Sequence, residues 1–232
     1  MNVLITGASR GMGKAIAEIF AANGHHLFIT GRNEITLYKT MEELLTEYPA
    51  VSIKAKAFDL SKKEGAKDFG AWCLKSVVPD ILINNAGTFE PGSIFNERDG
   101  LLEDQLAINL NSAYHLTRTL LPEMMKRKSG HVFNLCSIAA LKAYNNGGAY
   151  SISKHAMHGF SKNLREEMKQ FNIKVTSVFP GATLTDSWGD FDNSSNRIME
   201  ASDIAKMIYA ASQLSHGACV EDIIIRPLLG DL

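Results

Sequence analysis

Short runs of β-branched and other apolar residues alternate with longer amphipathic stretches along the whole chain, and this alternation restricts the fold more than any other feature. Parallel strands need a crossover connection of about a dozen or more residues, which a helix usually provides. The order of elements therefore predicts an α/β fold with a doubly wound parallel sheet of about seven strands and helices on both faces. The predicted strands are residues 3–6, 26–30, 51–58, 80–83, 131–136, 174–179 and 220–225, and the predicted helices are residues 14–23, 34–47, 62–76, 101–126, 149–170 and 202–213.

Length and composition indicate one domain. The chain has 232 residues, of which 45% are hydrophobic, and this is enough to enclose one full-sized core. No repeat, low-complexity tract or linker divides the sequence, so we expect residues 1–232 to fold as a single unit. Residues 186–196 are rich in Asp, Ser and Asn and are predicted to form a loop.

Charge and cysteine content argue against several classes of protein. The 24 Lys and Arg residues nearly balance the 25 Asp and Glu residues, and no long run of one sign occurs, so nucleic-acid and membrane partners are not expected. From the short apolar stretches and the early first strand, we expect neither a membrane-spanning segment nor a signal peptide. The three cysteines, Cys73, Cys136 and Cys219, match neither a disulfide framework nor a metal site. We expect a soluble cytoplasmic protein with reduced cysteines and no bound metal.

A glycine-rich turn follows the first predicted strand and runs directly into a helix. Glycine lets the backbone turn sharply and approach a pyrophosphate, while the free N–H groups and the dipole of the helix start favour negative charge. The spacing differs from the commoner Gly-x-Gly-x-x-Gly, and a tight turn without a ligand is the alternative. The predicted phosphate-binding residues are Gly7, Ser9, Arg10, Gly11, Met12 and Gly13.

The end of the second strand bears on the choice of dinucleotide. An acidic residue here would accept hydrogen bonds from the ribose 2′-OH of NAD, whereas this chain has Gly31 followed by Arg32. Arg32, with Arg10 as a second contact, offers a guanidinium to the 2′-phosphate of NADP. The alternative is that both are solvated surface arginines. Together they favour NADP, with NAD as the less favoured cofactor.

Two further turns follow strands at the same predicted edge of the sheet. Asp59 and Leu60 come after the third strand, where they would hold an adenine, although Asp59 is also a suitable N-cap for the next helix. Asn85, Ala86 and Gly87 come after the fourth strand and place small residues and an amide beside the cofactor. Because ligands bind beyond the carboxyl ends of the strands, we expect both turns to line the site.

Polar residues near the middle of the chain form a possible catalytic set. Tyr150 and Lys154 are four residues apart on a predicted helix and therefore share a face, where the ammonium would lower the pKa of the phenol. Ser137 directly follows the fifth strand, so it would lie at the same edge of the sheet and orient a carbonyl. Asn109 lies inside a long predicted helix, a position that Asn does not favour, and an exposed side chain is the alternative.

In combination these segments resemble the short-chain dehydrogenase/reductase family over essentially the whole chain. The resemblance implies a Rossmann-type NAD(P)-binding catalytic domain in which Tyr150 is the general acid/base, Lys154 holds the nicotinamide ribose and Ser137 positions the carbonyl. It also implies that Asn109 secures a water in the proton relay and that Asn85 lies near the adenosine ribose. The residues implied at the nicotinamide end are Pro180, Gly181 and Thr183.

The leading hypothesis is an NADP-dependent carbonyl reductase or alcohol dehydrogenase that acts on a small-molecule carbonyl or alcohol. The family resemblance also implies a homodimer or homotetramer, with the two longest helices at the interface. The C-terminal part of the chain, at residues 180–182, 188–189, 220–227 and 230–231, resembles bacterial proteins related to sepiapterin reductase. If this chain reduces sepiapterin, Asp186, Asp190 and Asp192 are the candidates to anchor the pterin. Trp188 is either a lid residue over a flat substrate or a clasp for its loop. Two further hypotheses are a 3-oxoacyl carrier-protein reductase and a dinucleotide-sensing scaffold without turnover.

Overall fold

The described part of the chain contains nine strands, and the longest of them are rich in β-branched and other apolar residues. The computed structural model describes residues 1–231. Its strands are β1 (Asn2–Thr6), β2 (His26–Thr30), β3 (Ile53–Ala55), β4 (Ile81–Asn84), β5 (Gly130–Leu135), β6 (Ile173–Pro180), β7 (Thr183–Leu184), β8 (Met199–Glu200) and β9 (Asp222–Ile225). The central strands β1, β4, β5 and β6 are buried along almost their whole length, which explains their continuous apolar runs.

Seven α-helices connect the strands. They are α1 (Gly11–Ala22), α2 (Glu34–Glu47), α3 (Lys63–Leu74), α4 (Leu101–Leu106), α5 (Ser112–Arg127), α6 (Gly148–Met168) and α7 (Ala201–Ser212) among the described residues. The helix predicted over residues 101–126 is present as one helical stretch, in which a π-helical segment, Ala107–Asn111, joins α4 to α5. None of these helices is both long and apolar enough to cross a membrane.

Seven of the strands form one parallel sheet in the order β3-β2-β1-β4-β5-β6-β9. β1 pairs with β2 on one side, where Val3 aligns with Leu27, and with β4 on the other, where Val3 aligns with Ile81. The order of the strands reverses between β1 and β4, which is the switch point at which such sheets bind ligands. The sheet has the parallel, seven-stranded Rossmann-type arrangement that the sequence predicts.

Each face of the sheet has its own hydrophobic layer. Successive residues of a strand point to opposite faces, so Val3 and Ile5 of β1 pack into one layer and Leu4 into the other. The first layer contains side chains from α1, α2 and α7, including Phe20. The second contains side chains from α3, α5 and α6, including Phe69. Both faces of the sheet are therefore covered by helices.

The structure departs from the predicted elements mainly at the two edges of the sheet and in the predicted loop. β3 and β9 are shorter than the strands predicted over residues 51–58 and 220–225, because an edge strand pairs on one side only. The loop predicted over residues 186–196 begins with a 3₁₀ turn, Asp186–Trp188, and is bracketed by β7 and β8, which pair in a separate two-stranded sheet.

The π-helical segment between α4 and α5 places Asn109 inside the protein. The side chain is 1% exposed, so the alternative of a solvated surface position for Asn109 is wrong. Its Oδ1 accepts a hydrogen bond from Thr88 N at 2.8 Å, and its Nδ2 donates to Thr88 O, Gln105 Oε1 and Ser153 Oγ at 3.1, 2.7 and 2.9 Å. Asn109 therefore joins the turn after β4 to α4 and α6.

Replacing Asn109 with Ala should lower the free energy of unfolding by about 1 to 3 kcal/mol, because it leaves buried partners unsatisfied. Asn163→Ala is the matched control, since Asn163 is exposed on α6 and makes one hydrogen bond, to Gly159 O at 3.1 Å. The control should change stability by about 0.5 kcal/mol or less. Equal urea midpoints for the two variants would show that the buried hydrogen bonds of Asn109 do not stabilise the fold.

Candidate active site

The turn between β1 and α1 has a backbone that requires glycine. Gly7 and Gly11 have φ angles of +65° and +54°, in the left-handed region that favours glycine. A Cβ on Gly13 would lie 2.1 Å from the carbonyl oxygen of Gly7, so no side chain fits there. The three glycines therefore fold the turn tightly under the start of α1.

The start of α1 lacks the side-chain acceptor that caps α2 and α7. Arg10 is its N-cap without a side-chain hydrogen bond, and its first turn contains no acidic residue. By contrast, the Asn33 side chain caps α2 by accepting from Thr36 N at 3.0 Å, and Glu200 caps α7. The N–H groups and the positive dipole end of α1 therefore fit a phosphate group, as the sequence predicts for this turn.

Thr6 and Asn85 join the turn after β1 to the turn after β4. Thr6 Oγ1 accepts hydrogen bonds from the backbone nitrogens of Asn85 and Ala86, both at 2.9 Å. The side-chain amide of Asn85 donates to Thr6 O at 2.9 Å and to Gly7 O at 3.1 Å. Asn85 thus fixes the geometry of the glycine turn, a role that its sequence pattern does not reveal.

The turn after β2 lies against the glycine turn. A Cβ on Gly31 would come within 3.1 Å of Ser9 Oγ, so the two predicted adenosine-binding segments are neighbours. Arg32 is exposed and has no ion-pair partner in the described part of the chain. Its guanidinium is therefore available to an anion bound beside the glycine turn.

Asp59 stabilises its own turn after β3. Its Oδ1 accepts hydrogen bonds from Ser61 N at 3.1 Å and Ser61 Oγ at 2.7 Å, and these bonds lower the pKa of the carboxyl. The N-cap of α3 is Lys62, so Asp59 caps the preceding turn and not the helix itself. Leu60 beside it is buried. Asp59 therefore stabilises the turn after β3. The positive charge of Arg32 also lowers the pKa of the Asp59 carboxyl.

The Arg10 side chain, beside the glycine turn, is engaged in an ion pair. Its Nη1 lies 3.3 Å from Asp186 Oδ2, and the two side chains are 72% and 54% exposed. A Cβ on Gly11 would lie 3.3 Å from Thr185 Cγ2, so the segment after β7 packs against the glycine turn. The sequence predicts a phosphate contact for Arg10 and a pterin contact for Asp186. It does not predict their ion pair, because the two residues are 176 positions apart.

Ser137 and Tyr150 meet at the carboxyl end of β5. A hydrogen bond joins their side chains, and Ser137 Oγ also accepts from Ala139 N at 3.1 Å. The half-exposed ring of Phe89 stands edge-on to the Tyr150 ring, with centroids 4.8 Å apart. Burial raises the pKa of Tyr150 above its ordinary value, and the hydrogen bond from Ser137 opposes this rise.

Lys154 lies one turn further along α6 and is buried. Its Nζ donates to Leu135 O at 2.9 Å and lies 5.7 Å from the centroid of the Tyr150 ring. Burial lowers the pKa of Lys154 to about 8. The sequence predicts that Lys154 lowers the pKa of Tyr150; burial is the largest effect on the phenol and acts in the opposite direction, so this lowering stays a prediction.

The turn after β4 brings Asn109 and Lys154 together. A Cβ on Gly87 would lie 2.8 Å from Asn109 Oδ1 and 3.6 Å from Lys154 Nζ. Gly87 therefore lets the backbone pass close to both side chains. The predicted catalytic residues Asn109, Ser137, Tyr150 and Lys154 all lie at this one edge of the sheet, as parallel strands require.

The segment after β6 is predicted to receive the nicotinamide end. Gly181 N donates to Ile225 O at 2.8 Å, which ties Pro180 and its neighbours to β9. Thr183 is buried and its Oγ1 donates to Gly181 O at 2.9 Å, so this hydroxyl is engaged within its own segment. The segment is thus held in a defined conformation next to the glycine turn.

Glu97 lies near the site although no sequence motif singles it out. It belongs to the long connection between β4 and α4, accepts a hydrogen bond from Ala149 N at 3.1 Å and so caps the first turn of α6. A Cβ on Gly148 would lie 2.4 Å from the same carboxylate oxygen. No local pattern could reveal this cap, because the acid lies 52 residues before the helix that it caps.

Comparison with known proteins assigns the chain to a family. A family model of short chain dehydrogenases matches residues 1–196. An uncharacterized oxidoreductase of Staphylococcus epidermidis is 30% identical over 231 residues, which cover 97% of this chain and 96% of the relative. A sepiapterin reductase of Chlorobaculum tepidum is 31% identical over an alignment of 239 positions, gaps included, which covers 99% of this chain and 97% of the relative.

Solved structures give the same result. A metagenomic short-chain oxidoreductase in complex with NADP has a TM-score of 0.85 at 27% identity, covering 98% of this chain and 96% of that one. The L-sorbose reductase of Gluconobacter frateurii, complexed with NADPH and L-sorbose, has a TM-score of 0.88 at 25% identity, covering 97% and 94%. The protein is therefore an oxidoreductase of the short-chain dehydrogenase/reductase family.

Proposed function

We propose that this protein is an NADP-dependent oxidoreductase that interconverts a small-molecule carbonyl compound and its secondary alcohol. The observation that carries the proposal is that Ser137, Tyr150 and Lys154 lie together at the same edge of the sheet as the uncapped start of α1. A reacting group and an anion site then lie at one edge of the sheet, at its switch point. The NADP-bound short-chain oxidoreductase of similar fold supports the choice of cofactor.

The residues present fit a dinucleotide along this edge. The uncapped N–H groups of α1 and the open backbone of the glycine turn suit a pyrophosphate, and the free guanidinium of Arg32 suits a 2′-phosphate. Lys154 would hold the nicotinamide ribose and Thr183 the nicotinamide carboxamide. The residues that would line the rest of the cofactor are Gly7, Ser9, Gly11, Met12, Gly13, Asp59, Leu60, Asn85, Ala86, Gly87, Pro180 and Gly181.

The side chains supply the proton chemistry of the reaction. In the reducing direction, the Tyr150 hydroxyl donates its proton to the carbonyl oxygen, and the raised pKa of Tyr150 keeps this proton in place until it is needed. Ser137 donates a hydrogen bond to the same oxygen and holds it near Tyr150. Bound NADPH would supply the hydride that the carbonyl carbon accepts. The charge of Lys154 stabilises the tyrosinate that remains, and Asn109 secures the water through which that proton is replaced.

Sepiapterin reduction is a second candidate, because the Chlorobaculum tepidum relative has this activity in its name. Of the three carboxylates that could anchor a pterin, Asp186 is paired with Arg10, and Asp192 accepts from Ser194 N at 2.8 Å. Asp190 is also exposed, and its carboxylate makes no hydrogen bond or ion pair within the described part of the chain. Measuring NADPH consumption with sepiapterin, diketones, acyl thioesters and sugars separates this candidate and the 3-oxoacyl reductase from general carbonyl reduction.

A scaffold without turnover is the least supported hypothesis, because Ser137, Tyr150 and Lys154 are all in place.

The cytoplasmic location remains a prediction. The three cysteines are free in the structure, which is compatible with it.

Tyr150→Phe should lower turnover by roughly 10²-fold or more, because it removes the proton donor while keeping the ring that packs against Phe89. The dissociation constant for NADPH should stay nearly unchanged. Tyr48→Phe is the control, since its hydroxyl contacts only Glu47 at a distant helix end. Near-normal turnover of the Tyr150 variant on any substrate of the wild type would remove Tyr150 from the mechanism.

Arg32→Ala should weaken NADPH binding roughly ten- to hundredfold relative to NADH, the equivalent of about 1.5 to 3 kcal/mol for a charge-assisted hydrogen bond. Gly31→Asp with Arg32→Ala should reverse the preference, although the new Cβ requires Ser9 to move slightly. Lys39→Ala, which removes an exposed charge from α2, is the control. The test is kcat/KM with both cofactors. A wild type that prefers NADH would overturn the assignment of NADP.

The pH dependence should report the buried lysine. The charged form of Lys154 is the one that binds ribose, and it loses its proton as the pH rises through the pKa of about 8. The kcat/KM for NADPH, which reflects the free enzyme, should therefore fall above about pH 8. Residual activity of Lys154→Arg should lack this decline, because guanidinium stays charged. A wild-type profile that stays flat to high pH would contradict the role given to Lys154.

We also propose that the protein assembles as a homodimer or homotetramer, as its resemblance to the family implies. α5 and α6 expose Tyr114 and Ile152 in the single chain, and the helix pair offers a surface for a second copy. Light scattering at micromolar concentration should give at least twice the monomer mass of 25.4 kDa. A monomer mass would rule out the proposed interface.

A further inference from the structure

The segment after β9 folds back onto the segment after β6. Asp231 Oδ1 accepts a hydrogen bond from Ala182 N at 3.0 Å, and Ala182 O accepts one from Met199 N at 3.1 Å. Both polar groups of the Ala182 backbone are therefore engaged by distant parts of the chain. Ala182 lies between Gly181 and Thr183, the residues placed at the nicotinamide end of the site.

Asp231 is itself firmly held. Its side chain is 17% exposed, and its Oδ2 lies 2.6 Å from Arg226 Nη2 and 2.7 Å from Arg226 Nε, so two guanidinium nitrogens share this one carboxylate oxygen. Arg197 donates to the carbonyl oxygens of Gly230 and Asp231 at 2.8 and 3.4 Å. The carboxylate thus has a fixed position, with one oxygen for the arginine and the other for the Ala182 backbone.

The same carboxylate explains why residue 181 is glycine. A Cβ on Gly181 would lie 2.2 Å from Asp231 Oδ1 and 3.1 Å from Pro227 Cδ. The φ of Gly181 lies outside the left-handed region, so its backbone conformation does not demand glycine. The missing side chain instead makes room for Asp231.

We infer that Asp231 is a positioning residue, which holds the Gly181 to Thr183 segment in the conformation that receives the nicotinamide end of the cofactor. The inference rests on the proposed function. Asp231 acts through the Ala182 N–H, and Thr183 is fixed in turn by its bond to Gly181 O. Without Asp231 the segment gains conformational freedom. Ordering it again when the cofactor binds then costs free energy, which weakens binding.

The test compares NADPH with 2′,5′-ADP, which has the adenosine 2′-phosphate but no nicotinamide. Asp231→Ala should raise the dissociation constant for NADPH about tenfold, as expected for loss of a charge-assisted hydrogen bond. The constant for 2′,5′-ADP should stay within about twofold of the wild type, because the glycine turn and Arg32 are untouched. Asp68→Ala, which removes an exposed carboxylate from α3, should change neither constant.

Two further variants keep the inference testable if Asp231→Ala fails to fold. Asp231→Asn retains an oxygen that can accept from Ala182 N but loses the charge that pairs with Arg226, so it should bind NADPH within about two- to fivefold of the wild type. Arg226→Ala leaves the carboxylate but frees it, so it should weaken NADPH about two- to fivefold without affecting 2′,5′-ADP.

Two results would overturn the inference. One is wild-type affinity for NADPH in Asp231→Ala and Arg226→Ala. The other is an equal loss of NADPH and 2′,5′-ADP binding, which would show that Asp231 supports the fold in general and not this segment. Failure of the proposed function gives a different result, since the wild type would then bind neither ligand.

Discussion

The hydroxyl of Thr6 connects the parts of the site on which the proposed chemistry depends. It accepts the backbone N–H groups of Asn85 and Ala86 and donates to Ile83 O at 3.3 Å, so it fixes β1 to the turn after β4. On the Thr6 side of these hydrogen bonds lies the glycine turn at the start of α1. The other side leads within one residue to Gly87, whose backbone passes close to Asn109 and Lys154. A single buried hydroxyl at the carboxyl end of the central strand β1 therefore links the anion site to the turn that approaches the reacting groups.

Burial dominates the electrostatics of the reacting end. Desolvation disfavours the charged form of any group, so it lowers the pKa of Lys154 and raises the pKa of Tyr150, and both side chains are pushed toward neutrality. Only Ser137, through its hydrogen bond, favours the tyrosinate. Hydroxyl acceptors from a bound ribose would favour the ammonium form of Lys154, and that charge would then lower the pKa of Tyr150. The lowering of the Tyr150 pKa that the Tyr150 and Lys154 spacing predicts thus has to overcome burial, which the spacing alone does not reveal.

The sequence was sufficient for features with a local period. Apolar runs and helical periodicity predicted the seven-stranded sheet, and the rule that parallel strands end at one edge brought Ser137, Tyr150 and the glycine turn together. Features that depend on distant pairs could not be predicted this way. Glu97 caps α6 from 52 positions away, and Arg10 pairs with an acid 176 positions away. The contact between Asp231 and Ala182 joins residues 49 positions apart. The π-helical turn at Asn109 was also missed, because its cause is a set of buried partners on other elements.

The ion pair between Arg10 and Asp186 is weak enough to be exchanged. Exposed pairs of this kind contribute about 0 to 1 kcal/mol, because water screens both charges and two flexible side chains must be held in place. A charge-assisted hydrogen bond to a phosphate contributes about 1.5 to 3 kcal/mol. The balance favours transfer of Arg10 from Asp186 to a 2′-phosphate in the cleft. Arg10 therefore remains suited to the phosphate role that the sequence predicts, and Asp186 determines how much of that binding energy is offset.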